Sequence, residues 1–262
     1  MQKNLLLLLM LFAIVSNAQK KKVIDASIGY QFSMPMGNMS NYINSIHSVN
    51  STATIAIPGT NEKLMAGLDF NIGWYGMLRQ PINYALGNNR FINTTVEYSS
   101  TMSQFGPVVR YHFTNKGKLR PYVHAGVAYT RFASSLFVND PNDIDQCRPL
   151  EQATLIKDNA WTTNIGGGLH FFISKQGNIR DFIDFSVTSV QGPAVNYINV
   201  RNYQHHHGTT NPTVANPNTK AVNVRFIDLT NNNIHEHKVA EVYNSAIALL
   251  NIRLTYVARL NW

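Results

Sequence analysis

Apolar and polar residues alternate almost without exception over residues 252–262. One face carries Ile252, Leu254, Tyr256, Ala258, Leu260 and Trp262, and the other carries Arg253, Thr255, Val257, Arg259 and Asn261. Successive side chains of a β-strand point to opposite faces, so this segment predicts a strand with one apolar side and one polar, cationic side. Two arginines facing the core of a soluble sandwich would be costly. A membrane barrel instead places apolar residues outside and polar residues inside.

Seven further segments show the same alternation and predict strands. They cover residues 23–33, 47–58, 64–79, 95–114, 119–137, 159–174 and 181–197, and the last strand covers 242–262. The connections at 34–46, 80–93, 138–158 and 198–241 are long and alternate with short turns. A membrane barrel with both termini in the periplasm has short turns on that side and long loops outside the cell. The sequence therefore predicts an all-β fold, a closed antiparallel eight-stranded transmembrane β-barrel with four long extracellular loops and short periplasmic turns.

The first residues of the chain have the pattern of a secretory signal peptide. Lys3 precedes an uncharged apolar run at 5–15, and the small residues at 16–18 offer a cleavage site. An apolar run of this length is too short to cross roughly 30 Å of hydrocarbon as a helix. We expect cleavage after Ala18, with 1–18 as the signal peptide and 19–262 as the outer-membrane barrel domain. The single Cys147 excludes a disulfide within the chain.

The composition adds a basic charge to this picture. The chain has a formal net charge of +8 at pH 7, and only 14% of its residues are charged, against about 25% in soluble domains. The sequence contains no basic helix and no aromatic RNA-reading motif, so we predict no nucleic-acid partner. Several basic residues fall in turns, where they would meet the anionic headgroups of outer-membrane lipid: Lys116, Lys118, Arg120, Lys175 and Arg180.

Two neighbouring segments resemble those of a known barrel family. Residues 105–113 read Phe-Gly-Pro-Val-Val-Arg-Tyr-His-Phe, and residues 120–129 read Arg-Pro-Tyr-Val-His-Ala-Gly-Val-Ala-Tyr. They are similar to the glycine-rich Arg-Tyr-x-Phe strand, the turn and the Arg-Pro-Tyr strand of small eight-stranded outer-membrane barrels of the OmpA/OmpX type. His124 and Ala128 stand where such barrels commonly have glycine. The resemblance implies the fold and not an activity.

The last residue fits the same resemblance. Trp262 resembles the terminal aromatic by which the barrel-assembly machinery recognises the C-terminal strand of its clients, which implies that machinery as a partner. No peptidoglycan-binding domain follows the predicted barrel, so the resemblance does not imply a wall-anchoring role.

The inner face of the predicted barrel carries three acids and three bases. The alternation directs inward Asp25, Asp69, Arg110, Asp184, Arg253 and Arg259, together with His124 and His170. An eight-stranded barrel is just wide enough for its own side chains to fill. Charges in such a lumen need partners or water. We therefore predict a polar, largely closed interior in which these residues form a network, with Arg253 and Arg259 paired to acids across the lumen.

Pairing across the short turns sets the expected neighbours of the two histidines. Arg110 should lie near His124, and His170 near Asp184. A His–Asp pair can orient a catalytic base, but no inward serine is placed as its nucleophile. Structural pairing is therefore the preferred interpretation. The first strand, 23–33, should close the barrel against 242–262.

The long loops contain two candidate metal sites. One comprises His205, His206, His207, His235 and His237, since imidazole binds Zn, Cu and Ni. Their spacing matches no closed structural zinc site. The other, Asp140-Pro-Asn-Asp143-Ile-Asp145, lacks the Gly and the terminal Glu of a calcium-binding loop. We predict neither a metal nor a cofactor.

We predict that the chain is not an enzyme and has a structural or surface-interaction role through its four long loops, because loops are where partners bind. Within 198–241, residues 222–229 and 234–239 predict a hairpin above the membrane. Glycines on the inner face leave open a narrow, porin-like conduit for small solutes. The inward histidines leave open an outer-membrane lipid-modifying enzyme or protease.

Overall fold

A computed structural model describes residues 23–87, 90–141, 150–176, 179–198, 220–227 and 234–261. Several sequence predictions fall outside this part of the chain. They are the signal peptide at 1–18, Cys147, Asp143 and Asp145, the histidines 205–207 and the terminal Trp262. The side chains of His235 and His237 also lie outside the described part.

Nine antiparallel strands make up nearly all of the described chain. They are β1 (Val23–Pro35), β2 (Ile46–Ala56), β3 (Leu64–Gly87), β4 (Arg90–His112), β5 (Leu119–Val138), β6 (Glu151–Gln176), β7 (Ile179–Ile198), β8 (Lys220–Ile227) and β9 (Ile234–Asn261), with one 3-10 helix at Gly37–Asn41. Their order in the sheet is β1-β2-β3-β4-β5-β6-β7-β9-β8, and β1 also pairs with β9. β1 to β7 and β9 thus form a closed ring, which confirms the predicted eight-stranded barrel.

No helix in the described residues is long and apolar enough to cross a membrane.

The barrel closes where the sequence predicts it. β1 pairs with β9 from Val23 opposite Asn261 to Pro35 opposite Leu249. The cross-turn registers are also confirmed, since Arg110 pairs with His124 and His170 pairs with Asp184.

The predicted lengths of the connections are wrong in most cases. β3 continues to Gly87 and β4 begins at Arg90, so most of the predicted loop 80–93 is a strand ribbon. β6 begins at Glu151, within the predicted loop 138–158, and β9 begins at Ile234, within 198–241. Pairs such as Asn83 with Asn93 continue the ladder through residues of low β-propensity. Backbone pairing along an established hairpin therefore outweighs the local preference of these polar residues.

The connection predicted at 34–46 has nearly the predicted length and contains the 3-10 helix. This helix begins at Gly37, whose φ is +57°. An L-residue with a side chain adopts this left-handed conformation only at a cost, so glycine suits the position.

The predicted hairpin in the last connection is confirmed. β8 pairs with β9 from Ile227 opposite Ile234 to Lys220 opposite Val242. β9 therefore pairs with β8 over residues 234–242 and with β1 over residues 249–261. We call the end with the termini and short turns the turn end and the opposite end the loop end.

Outward-facing apolar side chains surround the barrel. We call this surface the apolar belt; it has members on all eight barrel strands, and they are well exposed: Ile28, Tyr30, Val49, Ile55, Leu68, Phe70, Ile72, Trp74, Phe105, Val109, Val123, Val127, Tyr129, Trp161, Ile165, Phe185, Val187, Leu254 and Tyr256. On β3 the outward apolar row runs over 64–74 and on β5 over 119–129. This is close to the roughly 9–11 residues that a tilted strand needs to cross a membrane.

The loop-end half of the lumen holds an apolar cluster. The barrel encloses Met39 and Ile43 of the connection between β1 and β2 and Ile46 at the start of β2, and all three are 0% exposed. They belong to a cluster with residues of six other strands, namely Tyr75, Met102, Phe132, Ala160, Val190, Val195, Tyr197, Ile247 and Leu249. Tyr42 of the same connection stacks on Tyr243, with ring centroids 3.9 Å apart. We call Met39, Ile43 and Ile46 the mouth plug.

Beyond the belt, β3 to β6 continue as a sheet with its own small core. Val96, Tyr98, Leu136 and Val138 are buried there against Leu78, Leu150 and Leu155. Burial raises the pKa of Tyr98, which lies above the belt, to about 12. This core gives the projecting sheet a fixed shape.

Two adjacent glycines of β6 lie close to the backbone of neighbouring strands, one on the inner face of the barrel and one on the outer face. A Cβ on the inward Gly166 would meet the Val187 carbonyl oxygen, lie 2.8 Å from the Thr188 Cα and lie 3.0 Å from the His124 Cε1. A Cβ on the outward Gly167 would have the Tyr122 carbonyl oxygen, at 3.2 Å, as its nearest neighbour. We expect Gly166→Ala to lower the unfolding free energy by about 1–3 kcal/mol through overpacking. Gly167→Ala is the matched control and should cost less than about 1 kcal/mol. Urea unfolding in detergent micelles measures both, and equal losses would contradict the inward placement of Gly166.

Candidate functional site

The lumen contains the polar residues that the sequence directs inward. Asp25, Arg110, His124, His170, Asp184, Arg253 and Arg259 are buried, and Asp69 is largely buried. Alternation along each strand places them inside, because their outward neighbours belong to the apolar belt. Apart from His124, they form three contact groups.

The first group joins the two strands that close the barrel. Arg259 donates to Asp25 through Nε at 2.6 Å and through Nη2 at 2.7 Å, and the two residues are direct register partners. The Arg259 guanidinium also lies 5.2 Å from the ring centroid of Phe182. Charge-assisted bidentate pairs of this kind are the strongest protein hydrogen bonds. The pair therefore fixes the seam near the turn end.

The second group lies higher in the lumen. Arg253 donates to both carboxylate oxygens of Asp69, each at 3.0 Å, and to the Gln31 Oε1 at 2.9 Å and 3.2 Å. Asp69 also accepts hydrogen bonds from Thr52 at 2.5 Å and from Asn50 at 3.2 Å. Both charged groups are thereby compensated by hydrogen bonds, as burial requires. The contacts link β9 to β1, β2 and β3.

The third group centres on Asp184. The Tyr122 hydroxyl lies 2.7 Å from the Asp184 Oδ1, while Arg110 Nη2 approaches Oδ2 only to 3.8 Å. Arg110 Nη1 donates to the His170 Nε2 at 3.2 Å. On the other side of the His170 ring, Nδ1 lies 3.2 Å from the His112 Nε2. Aromatic rings, imidazoles and one carboxylate thus fill the lumen across four strands.

His124 and His170 are both enclosed in the lumen, and His170 Nε2 lies 3.5 Å from the Asp184 Oδ1. His124 Nε2 lies 2.9 Å from the Thr188 Oγ1, and its register partner Arg110 contacts His170 instead. His170 is 0% exposed, and its hydrogen-bond partners are Arg110 and His112. A general base must reach the proton that it removes from a substrate. Neither imidazole offers a substrate such access.

One small cavity lies between the second and third groups. It has room of about 20 Å³, and its lining includes Asp69, Arg110, His124, Asn164 and Arg253. This is close to the space that a single buried water needs. A cavity of this size does not provide a path for a solute. Within the described residues, no group of three or more His, Cys, Asp or Glu could hold a metal ion.

The network predicted from the sequence left out three members of the lumen. His112 and Tyr122 follow the inward alternation of β4 and β5, but their contacts with His170 and Asp184 join strands distant in sequence. Arg120 was expected at a lipid headgroup. It is 7% exposed instead, with its guanidinium 4.1 Å from the centroid of Phe172. The parity of Arg120 with Tyr122 and His124 was the available signal that it points inward.

Comparison with solved structures finds several barrels of outer membranes and surfaces. Neisserial surface protein A is 8% identical, with 93% of this chain and 100% of that chain covered and a TM-score of 0.42. The attachment invasion locus protein Ail of Yersinia pestis, in complex with the heparin analogue sucrose octasulfate, is 10% identical, with 92% and 98% covered and a TM-score of 0.32. The outer membrane protease OmpT of Escherichia coli is 10% identical, with 93% and 97% covered and a TM-score of 0.33. At these identities and scores, the matches carry no inference about activity.

No family model and no curated protein matches the chain. The fold therefore rests on the closed strand pairing, and any role must be argued from this chain's own residues.

The seam pair makes a sharp prediction for stability. Arg259→Gln leaves Asp25 buried without its partner, so we expect a loss of about 3–5 kcal/mol in unfolding free energy. The control is Arg79→Gln, which breaks the pair between the exposed Arg79 and Glu97 at 2.8 Å. That change should cost less than about 1 kcal/mol, because water screens exposed pairs. Urea unfolding in micelles distinguishes them, and similar losses for both variants would refute a structural role for the seam pair.

Proposed function

We propose that this closed eight-stranded barrel is an integral protein of the outer membrane with a surface-interaction role rather than a transport or catalytic one. The observation that carries the proposal is the combination of an apolar belt around the wall with a lumen filled from end to end. Such a molecule presents its wall to lipid and its projecting loop end to other molecules.

The apolar belt supports membrane insertion. Belt residues such as Trp161, Ile165 and Ile28 are at least 60% exposed. Water-soluble proteins rarely expose contiguous apolar surface larger than a few hundred Å². A continuous belt on all eight strands matches the lipid-facing band of a membrane barrel, about 25 Å tall. Lipid is thus the partner that the wall requires.

The lengths of the strands support display at the loop end. β3, β6 and β9 have 24, 26 and 28 residues, whereas roughly 9–11 residues cross the membrane. At the turn end, the strands end close to the apolar belt. The strand residues beyond those that cross the membrane therefore project from the loop end. At about 3.3 Å per residue, the sheet rises by tens of ångströms. It carries the small core around Tyr98, which suits a stable recognition surface.

Two seals argue against a conduit. The mouth plug fills the loop-end half of the lumen with fully buried apolar side chains. Below it, the pairs of Arg253 with Asp69 and of Arg259 with Asp25 fill the turn-end half. An ion would have to displace both a hydrophobic cluster and paired charges, each of which is costly to disrupt.

The proposal that the chain is not an enzyme rests on the burial of its titratable groups. The titratable groups that meet in the lumen are enclosed. The Thr188 hydroxyl, which His124 contacts at 2.9 Å, is buried with that imidazole and offers no access to a substrate. The assignment of OmpT as a protease belongs to that protein. Surface interaction is therefore the role that best fits this chain's residues.

Bilayer recordings test the sealed lumen. The purified full chain, reconstituted into a planar bilayer, should show no conductance steps above background in salt of about 1 M. A porin of known conductance, reconstituted in the same way, serves as the positive control. Discrete steps that scale with salt concentration would instead favour the narrow conduit.

Cysteine labelling of whole cells tests the display of the loop end. In a Cys147→Ser background, Gln152→Cys at the loop end should react with a membrane-impermeant maleimide. Lys118→Cys at the turn end is the matched control and should react only after the cells are opened. Both residues are exposed on the barrel, so accessibility within the protein does not bias the comparison. The reverse labelling pattern would contradict the proposed orientation, and labelling of neither variant would contradict surface display.

A further inference from the structure

Two basic residues stand on the outer wall immediately beyond the apolar belt. Tyr129 of β5 pairs with Trp161 of β6, and the two rings lie 5.7 Å apart in an edge-on arrangement. The next outward pair towards the loop end is Arg131 with Asn159, and the one after it is Ala133 with Lys157. Arg131 and Lys157 are both exposed. Because diagonal partners across two strands lie about 7–8 Å apart, both side chains can reach one bound group.

Tyrosine and tryptophan rings collect at the interface between hydrocarbon and headgroups. The Tyr129–Trp161 pair therefore marks the level at which lipid tails end and headgroups begin. Arg131 and Lys157 follow directly above it, on the loop-end side. In the proposed orientation, this is the headgroup layer of the outer leaflet.

The nearby acids are already engaged. Glu97, which faces outward on β4, accepts from Arg79 at 2.8 Å. Asp158, next to Lys157 in sequence, accepts from both the backbone and the side-chain nitrogen of Asn196, each at 2.8 Å. Among the described residues, no ion pair joins Arg131 or Lys157 to a carboxylate of this chain. The local surface is therefore cationic.

The surface beside the two cations carries short side chains. Ala133 follows Arg131 on the same face of β5 and lies opposite Lys157, and Asn159 lies opposite Arg131. Thr101 and Ser103 of β4 lie opposite Ala133 and Arg131, and the Thr101 hydroxyl donates to the Ala133 carbonyl oxygen at 3.4 Å. These short side chains leave room for a compact tetrahedral anion beside the two cations. Arginine binds phosphate oxygens bidentately, and lysine adds a point charge.

We propose that Arg131 and Lys157 form a binding site for the phosphate of an outer-leaflet glycolipid, with the Tyr129–Trp161 pair against its apolar portion. The inference rests on the proposed membrane insertion and deepens it by naming the class of lipid that this wall selects. The lipid is held from outside the barrel, so the sealed lumen plays no part in binding.

Native mass spectrometry of the folded full chain in a zwitterionic detergent tests the site. The probe is bisphosphorylated lipid A, and dephosphorylated lipid A is the matched lipid. The double variant Arg131→Gln with Lys157→Gln should bind the phosphorylated lipid roughly 30-fold more weakly, because each basic group near an anionic surface contributes about a fivefold factor. Arg131→Lys with Lys157→Arg keeps both charges and should retain most of the affinity.

The control for charge is Arg79→Gln, which removes an exposed arginine that already pairs with Glu97. It should leave the affinity within about twofold, whereas Arg131→Gln alone should weaken binding about fivefold. Equal binding by the Arg131/Lys157 variant, or equal binding of the dephosphorylated lipid, would overturn the site. Displacement by inorganic phosphate at a concentration similar to that of the lipid would show a free-anion site and overturn the lipid assignment. A heat-dependent gel shift of each variant monitors the folded barrel separately, so a chain that never folds as a barrel refutes the proposed function rather than this site alone.

Discussion

The closure of β1 against β9 is the constraint on which the rest of the structure depends. Hydrocarbon offers no hydrogen-bond partner to a backbone N–H or C=O, so a sheet that crosses a membrane must have no free edge there. The ladder from Val23 to Pro35 removes that edge along the belt. Arg259 and Asp25 lie opposite each other in this ladder and bind through two short hydrogen bonds. The seam thus combines backbone pairing with a buried charge pair that holds its register.

Closure also decides what the lumen can do. Eight strands enclose a space that their own side chains fill, and here the filling differs between the two halves. Charged and hydrogen-bonding groups occupy the turn-end half, where Asp69 and Asp184 each meet several partners. Apolar residues occupy the loop-end half, where the mouth plug enters from the connection between β1 and β2. The barrel is therefore a rigid support, and interactions are left to its outer wall and its projecting sheet.

The strands stop forming a closed ring above the apolar belt, where the backbone is no longer in hydrocarbon. Above the belt β1 stops at Pro35, and β8 continues the sheet beside β9. Water can satisfy a free edge there, so the ring no longer has to close. The outer surface changes at the same level, from the aromatic pair of Tyr129 and Trp161 to the basic Arg131 and Lys157. One boundary, that between hydrocarbon and water, accounts for both changes.

Alternation in the sequence is enough to determine the barrel strands, their inner and outer faces, the seam and the pairing of His170 with Asp184. It succeeds because lipid on one side and a polar lumen on the other impose a strict period of two on every strand. The extension of β3 and β4 through 80–93 was not evident, because above the membrane neither environment enforces that period. The mouth plug was not evident either, since Met39 and Ile43 follow no periodic pattern and find their partners on strands distant in sequence. The same holds for the contact of Tyr122 with Asp184, which are 62 residues apart. Local pattern specifies which way a side chain points, whereas only the closed barrel specifies which side chains meet across its lumen.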